Sequence, residues 1–200
     1  GYELCKTIKE DIAISHIPVI LLTAKDDKQS LISGYKNGAD GYLSKPFEVE
    51  MLMELIRNRL KNREYTKKRY LNAGLIPTPE ESTISLTDET FLIKLNSIIQ
   101  ENIDNTNLGI QFICQEVGLG RSSLYNKLKA LTGMGANEYI SKLRIEKAIT
   151  LISGTDMPFS EIAEKTGFTT PSYFSTTFKQ YTGETPSQYK ERKKKGLTDQ

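Results

Sequence analysis

Six basic side chains fall within residues 121–147: Arg121, Lys127, Lys129, Lys142, Arg144 and Lys147. Only Glu138 and Glu146 oppose them there, a local excess of four positive charges. Ammonium and guanidinium groups at this density can neutralise phosphates, which positions a nucleic-acid duplex without reading its sequence. A second basic run, Lys190 with Arg192, Lys193, Lys194 and Lys195, is offset nearby only by Glu191. Such a run ordinarily solvates a chain end and can add non-specific phosphate affinity. Enzymatic chemistry is poorly represented. The single histidine, His16, stands at the entry to an apolar run two residues before Pro18, as a loop residue would. No nucleophile–base pair, metal-ligand spacing or phosphate-cradling glycine loop is present, which argues against an enzyme.

The elements that must carry the basic residues are repeated. Ile113-Cys114-Gln115-Glu116-Val117-Gly118-Leu119 matches Ile162-Ala163-Glu164-Lys165-Thr166-Gly167-Phe168 about 50 residues later. After a turn one residue longer in the second copy, Leu124, Leu128-Lys129 and Thr132-Gly133 match Phe174, Phe178-Lys179 and Thr182-Gly183. Ala136 and Tyr139 then match Pro186 and Tyr189. Each copy reads as a helix closed by glycine, a sharp turn and a second helix with apolar residues at helical spacing. These are helix-turn-helix units, over about 110–133 and 159–183. Two exposed second helices could read two successive major-groove segments on one face of DNA. Leu124, Leu128, Phe174 and Phe178 are the expected core positions. A long helix from Asn137 to about Ile152 joins the units.

Residues 1–63 follow a different pattern. Tyr2–Glu10 reads as the end of a helix with Leu4, Cys5 and Ile8 on one face. The continuous apolar run from Ile17 to Ala24 predicts a parallel strand buried on both faces. Asp26 or Asp27 is expected to cap a helix running to about Asn37, ended by Gly38. A short strand, Gly41-Tyr42-Leu43-Ser44, precedes Lys45-Pro46-Phe47, and a last helix carries Val49, Leu52, Met53, Ile56 and Leu60. Alternating strand and helix argue for a parallel α/β sheet, for which two strands are too few. Residues 64–87, with Ile76-Pro77-Thr78-Pro79-Glu80-Glu81, read as a linker, with the preceding helix able to continue through Tyr70. Residues 88–195 read as wholly helical and 196–200 as a tail.

Composition sets wider bounds. Apolar content of 38% and charged content of 26% belong to a globular chain of one large or two small domains. A net charge of +2 over 200 residues leaves open a module that docks protein instead of DNA. Cys5 and Cys114 lie far apart in helical apolar patterns and are expected to be buried thiols in a reducing cytosol. No apolar run approaches the roughly 18 residues of a membrane span. Gly1 is not an initiator Met, so a piece of a longer chain is expected.

Two resemblances rest on quoted residues. The sequence Ile162-Ala163, Gly167-Phe168, Tyr173-Phe174, Phe178-Lys179, Gly183, Thr185-Pro186 and Tyr189 resembles the AraC-type DNA-binding domain. That family has seven helices and two helix-turn-helix units. The resemblance implies that Arg121 opens the first recognition helix and that Ser122, Tyr125 and Asn126 meet base edges. Asn can pair bidentately with adenine, and a Tyr ring can contact thymine methyls. It places Arg121 and Lys129 by phosphates. In the second unit it turns Ser172 and Thr176 to the groove, with Tyr173 and Lys179 nearer the backbone. Ser, Thr and Tyr stand where Arg or Gln would give bidentate contacts, so specificity there rests partly on shape or water. Gly135 replaces the family's usual Ser, expected to loosen the connecting helix by roughly 1 kcal/mol.

Thr23-Ala24, Gly38-Ala39-Asp40-Gly41, Tyr42 and Lys45-Pro46-Phe47 resemble the C-terminal half of a response-regulator receiver domain, a doubly wound parallel α/β fold. The resemblance implies that Thr23 and Lys45 contact a phosphoryl group and that Tyr42 rotates as Thr23 moves. It also implies a cis Lys45-Pro46 bond. The phospho-accepting aspartate and the acidic residues that hold Mg²⁺ in a complete receiver are expected upstream of Gly1. Asp26, Asp27 and Asp40 do not replace them. No metal site and no resident cofactor are expected in these residues. The half-sheet is expected to expose an apolar flank, so that it is unstable alone, self-associates or arises by cleavage.

Receiver, linker and AraC-type domain in this order resemble the end of hybrid two-component regulators. The order implies a cytoplasmic, sequence-specific regulator of transcription in a phosphorelay, part of a membrane-anchored bacterial parent. The implied partners are double-stranded DNA, the parent's histidine kinase domain, RNA polymerase and a second copy joined through the 28–62 face.

Overall fold

The computed structural model describes residues 1–24, 28–73 and 85–198. Its elements follow the apolar patterns closely. Helix α1 (Tyr2–Glu10) buries Cys5, whose thiol donates to the Asn37 carbonyl at 3.4 Å. Strand β1 (Ile20–Thr23), helix α2 (Lys28–Lys36) and strand β2 (Gly41–Ser44) come next. Gly38 turns the chain into β2 with φ 82°, a conformation that favours glycine. The expected caps at Asp26 and Asp27 lie outside the described residues.

The two strands pair in parallel, with Ile20 opposite Gly41 and Thr23 opposite Ser44. The expected eight-residue strand from Ile17 to Ala24 is shorter. Pro18 has no N–H to give a ladder, and the Val19 N–H is taken by the Asp40 carboxylate at 2.6 Å. Nor is β1 buried on both faces. With one neighbouring strand, Ile20, Leu21 and Thr23 are only half-buried and Leu22 is exposed, whereas Gly41 and Leu43 of β2 are buried.

Helix α3 (Val49–Ala73) continues beyond residue 63 for ten further residues. Helix α4 (Leu86–Glu101) follows, then α5 (Ile110–Val117), α6 (Arg121–Thr132), α7 (Ala136–Gly154), α8 (Phe159–Lys165), α9 (Pro171–Thr182) and α10 (Pro186–Thr198). Cys114, expected to be buried, is half-buried on α5.

The chain divides into two compact units. One comprises residues 1–94 with 117–134, so that α6 is grouped with the α/β segment, and α3 packs against it. The other comprises residues 95–116 with 135–200. Its core is built on α7, α8 and α9: Ile145, Ala148, Ile152, Ile162, Ala163, Phe168, Phe174 and Phe178, with Tyr189 of α10 packed against them. Four rings run through this core in edge or tilted contacts: Phe168–Phe174, Phe174–Phe178 and Phe178–Tyr189, with centroids 5.3–5.7 Å apart.

Candidate nucleic-acid interface

Helix α9 has a firm beginning and end. Thr170 caps it by accepting the Tyr173 N–H at 3.1 Å, and Pro171 occupies the first turn, where its missing N–H costs nothing. Gly183 ends it with φ 82°, its N–H donating to the Lys179 carbonyl. Between these ends Phe174, Thr177 and Phe178 are buried, while Ser172, Tyr173, Thr176 and Lys179 are exposed. The Tyr173 ring stands edge-on to Phe168, 5.7 Å between centroids, which steadies an otherwise exposed aromatic. The Thr176 hydroxyl donates back to the Ser172 carbonyl, leaving the oxygen's lone pairs toward solvent.

Helix α6 has the same length, 12 residues, and the same ending: Gly133 at φ 78° donates to the Lys129 carbonyl. Its start differs, because Gly120 offers no capping side chain. Leu124, Leu128 and Leu131 face inward, and Arg121, Ser122, Tyr125, Asn126 and Lys129 are all exposed. The structure therefore brings the expected base-reading residues of each unit onto one outward helix face. Lys129 and Lys179 have no carboxylate partner among the described residues and occupy matching places one turn before the terminal glycine.

The basic cluster, by contrast, is not one surface. Lys127 is fully buried and Arg144 is 8% exposed. The Arg144 Nε donates to the Ile103 carbonyl at 3.2 Å and Nη2 to the Asn105 carbonyl at 2.7 Å, and burial pulls its pKa down. Lys142 pairs with Glu146. Helical spacing carries the signal for both buried cations. Lys127 lies three residues after Leu124 and four before Leu131, and Arg144 interrupts the buried stripe Ala136, Ile140, Ala148 and Ile152. A charge on an inward stripe is a structural cation with partners.

The glycines that close α5 and α8 also differ. Gly118 and Gly167 both have positive φ, 72° and 70°. A Cβ at Gly118 would meet none of the described residues within 4 Å, whereas a Cβ at Gly167 would fall 2.3 Å from the Ile103 carbonyl oxygen and 2.7 Å from Arg144.

In the α/β segment, Thr23 and Lys45 meet at the C-terminal ends of the two strands, where the Lys45 N–H donates to the Thr23 carbonyl at 2.6 Å. The Lys45 side chain is exposed, and the Lys45-Pro46 bond is cis. Tyr42 is half-buried, its ring laid over Gly34, where a Cβ would stand 2.9 Å from Tyr42 Cδ2. Among the described residues no cluster of His, Cys, Asp and Glu could hold a metal, and no helix is long and apolar enough to cross a membrane.

Known proteins match these parts in the same order. The response regulator receiver domain family matches residues 1–57, and a helix-turn-helix domain family matches residues 113–192. A relative named histidine kinase P4, from Formosa agariphila, is 42% identical over 192 residues, 96% of this chain. The chain spans 14% of that relative's length. The transcriptional regulatory protein YesN of Bacillus subtilis is 33% identical over 119 residues, 58% of this chain and 32% of its own. Among solved structures, the C-terminal domain of AraT, a response regulator from Geobacillus stearothermophilus, is 29% identical with a TM-score of 0.50. That match covers 56% of this chain and 88% of that one. Residues 1–57 thus belong to the response-regulator receiver family and residues 113–192 to the AraC-type helix-turn-helix family, joined in that order in one chain.

Proposed function

We propose that the chain is a sequence-specific DNA-binding transcriptional regulator of a two-component phosphorelay, acting in the cytoplasm. The observation that carries this reading is the pair of 12-residue helices α6 and α9, each with its polar residues on an outward face. Ser122 matches Ser172, Asn126 matches Thr176 and Lys129 matches Lys179 at the same spacing. Asn126 supplies the side-chain amide of the set, able to grip a base at two atoms, and adenine is the base that fits it. Lys129 and Lys179 supply phosphate contacts. Helix α9, with Ser172, Tyr173 and Thr176, reads through water, methyl contact and DNA shape. The partner is double-stranded DNA, with RNA polymerase engaged once the site is occupied.

The receiver residues supply the gate. In a chain that also carries the acceptor aspartate, Thr23 and Lys45 at the strand ends would hold the phosphoryl group donated through the parent's histidine kinase. Tyr42 would then follow Thr23, altering the 28–62 face through which two copies pair. Pairing raises the effective concentration of the second DNA-binding domain at a repeated site. Dimer constants that stay equal with and without a phosphoryl mimic would remove this gate.

The burial of Lys127 and Arg144 favours a second reading, docking of a protein on the helical part, since it thins the positive surface. Selection from a random DNA library, followed by salt titration on the winner, separates the two. A regulator enriches a site with two blocks about one helical turn apart and loses affinity steeply with salt. A protein-docking module enriches nothing, even when two copies are forced to pair.

A further inference from the structure

Lys127 is a basic residue that the DNA-binding reading leaves unused. It sits on the recognition helix beside Asn126, yet it is wholly buried, together with Asp88 (3% exposed) and Ser15 (1%). The Lys127 Nζ donates to the Ser15 hydroxyl at 2.7 Å and pairs directly with Asp88, and the Ser15 hydroxyl in turn donates to Asp88 at 2.7 Å. The Lys127 ammonium also lies over the Phe91 ring, 5.0 Å from its centroid. Ser15 comes from the receiver segment, 112 residues away in sequence. A second tie runs the same way: Arg63 of α3 donates to the Ala130 carbonyl of α6 at 3.4 Å, and α3 packs along α6.

We infer that Ser15, Asp88 and Lys127 form a joint through which the receiver segment sets the position of the DNA-reading helix α6, making Lys127 a positioning residue for base recognition. A buried ion pair is weak evidence for stability and better evidence for a fixed arrangement, because its directional bonds are satisfied in one geometry only. Here the geometry needs three segments at once. Removing the Ser15 hydroxyl leaves the Lys127–Asp88 pair in place but frees it from the receiver segment. Asn126 and Tyr125 share a rigid helix with Lys127, so a shift at the joint reaches them undiminished.

The inference rests on the DNA-binding reading, and the test separates their failures. In the full chain, Ser15→Ala is compared with wild type and with Ser15→Thr, which keeps the hydroxyl. Affinity is measured on the selected two-block site and on the same site with the α6 block scrambled, that block being the one whose selectivity Asn126→Ala relaxes. Ser15→Ala should weaken the two-block site by roughly tenfold, within the range of ordinary coupling between sites, and leave the scrambled site unchanged. Ser15→Thr should restore binding, and amides of Leu124–Leu131 should exchange faster in Ser15→Ala alone. Equal losses on both DNAs, or no loss on either, would overturn the joint. If wild type selects no DNA, the functional reading fails by itself. Helix α6 exchange then still decides whether Ser15 holds the helix, unchanged protection refuting it.

Discussion

Burying the Lys127 ammonium costs hydration that Asp88 and Ser15 return, and burial still pulls its pKa down against the opposing pull of Asp88. Asp88→Asn keeps the shape and removes the counter-charge. It should destabilise the chain by about 3–5 kcal/mol, read as a lower urea midpoint, because an uncompensated buried cation remains. His16 stands close by, half-buried, its Nδ1 without a hydrogen-bond partner among the described residues. Burial, then the Lys127 and Arg63 cations, with a smaller push from Lys9 against the pull of Asp88, lower its pKa from 6.5 to about 4. The folded chain therefore resists protonation that the unfolded chain accepts. Stability present above pH 6.5 should be lost as pH falls from 6.5 toward 4. At about 1.4 kcal/mol per pK unit the loss approaches roughly 3 kcal/mol. His16→Gln should flatten that stretch of the stability–pH curve; an unaltered slope would place the titration elsewhere.

Among the elements, the two copies of the repeat differ most at their caps. Thr185 and Gln188 form a complete capping box at the start of α10: the Thr185 N–H donates to Gln188 at 2.9 Å and the Gln188 N–H to the Thr185 hydroxyl at 3.3 Å. At the start of α7 only half survives, the Gly135 N–H donating to Glu138 at 3.3 Å. Gly135 has φ −80° and open space around its missing Cβ, so Gly135→Ser should complete the box. The gain should be a few tenths of a kcal/mol, read in the urea midpoint, less than the roughly 1 kcal/mol expected from the sequence, since glycine is itself a tolerated cap and the Glu138 half of the box is kept. Periodicity made most elements legible. The Leu124/Leu128 and Phe174/Phe178 pairs located α6 and α9 and thereby their outward faces. What periodicity hid was the fate of charge. Lys127 and Arg144 count toward the local basic cluster because composition counts a cation wherever it falls. Their partners, Ser15 and the Ile103 and Asn105 carbonyls, are distant in sequence and unmarked by any motif. The strand at β1 was overlong for a similar reason, since the Asp40 carboxylate that takes the Val19 N–H cannot be foreseen from an apolar run.

For the whole molecule, a net charge of +2 gives little bulk attraction for DNA, so on the proposed reading affinity would come from locally exposed cations. Lys129→Ala and Lys179→Ala should each lower the slope of log affinity against log salt by about one and weaken binding similarly on all sequences. Asn126→Ala should instead cost about 1–3 kcal/mol on the selected site and relax one base position. A slope that stays constant in both lysine variants would remove them from the phosphate contacts.

The two turn glycines give this interface a built-in asymmetry of another kind. At Gly118 the demand is only on the backbone angle, which asparagine also meets. At Gly167 the Ile103 carbonyl and the Arg144 fork fill the space where any side chain would begin. A saturation library would therefore return a short vocabulary at residue 118 and a single letter at residue 167. The first unit is the one whose turn can be rewritten to alter how its reading helix is presented.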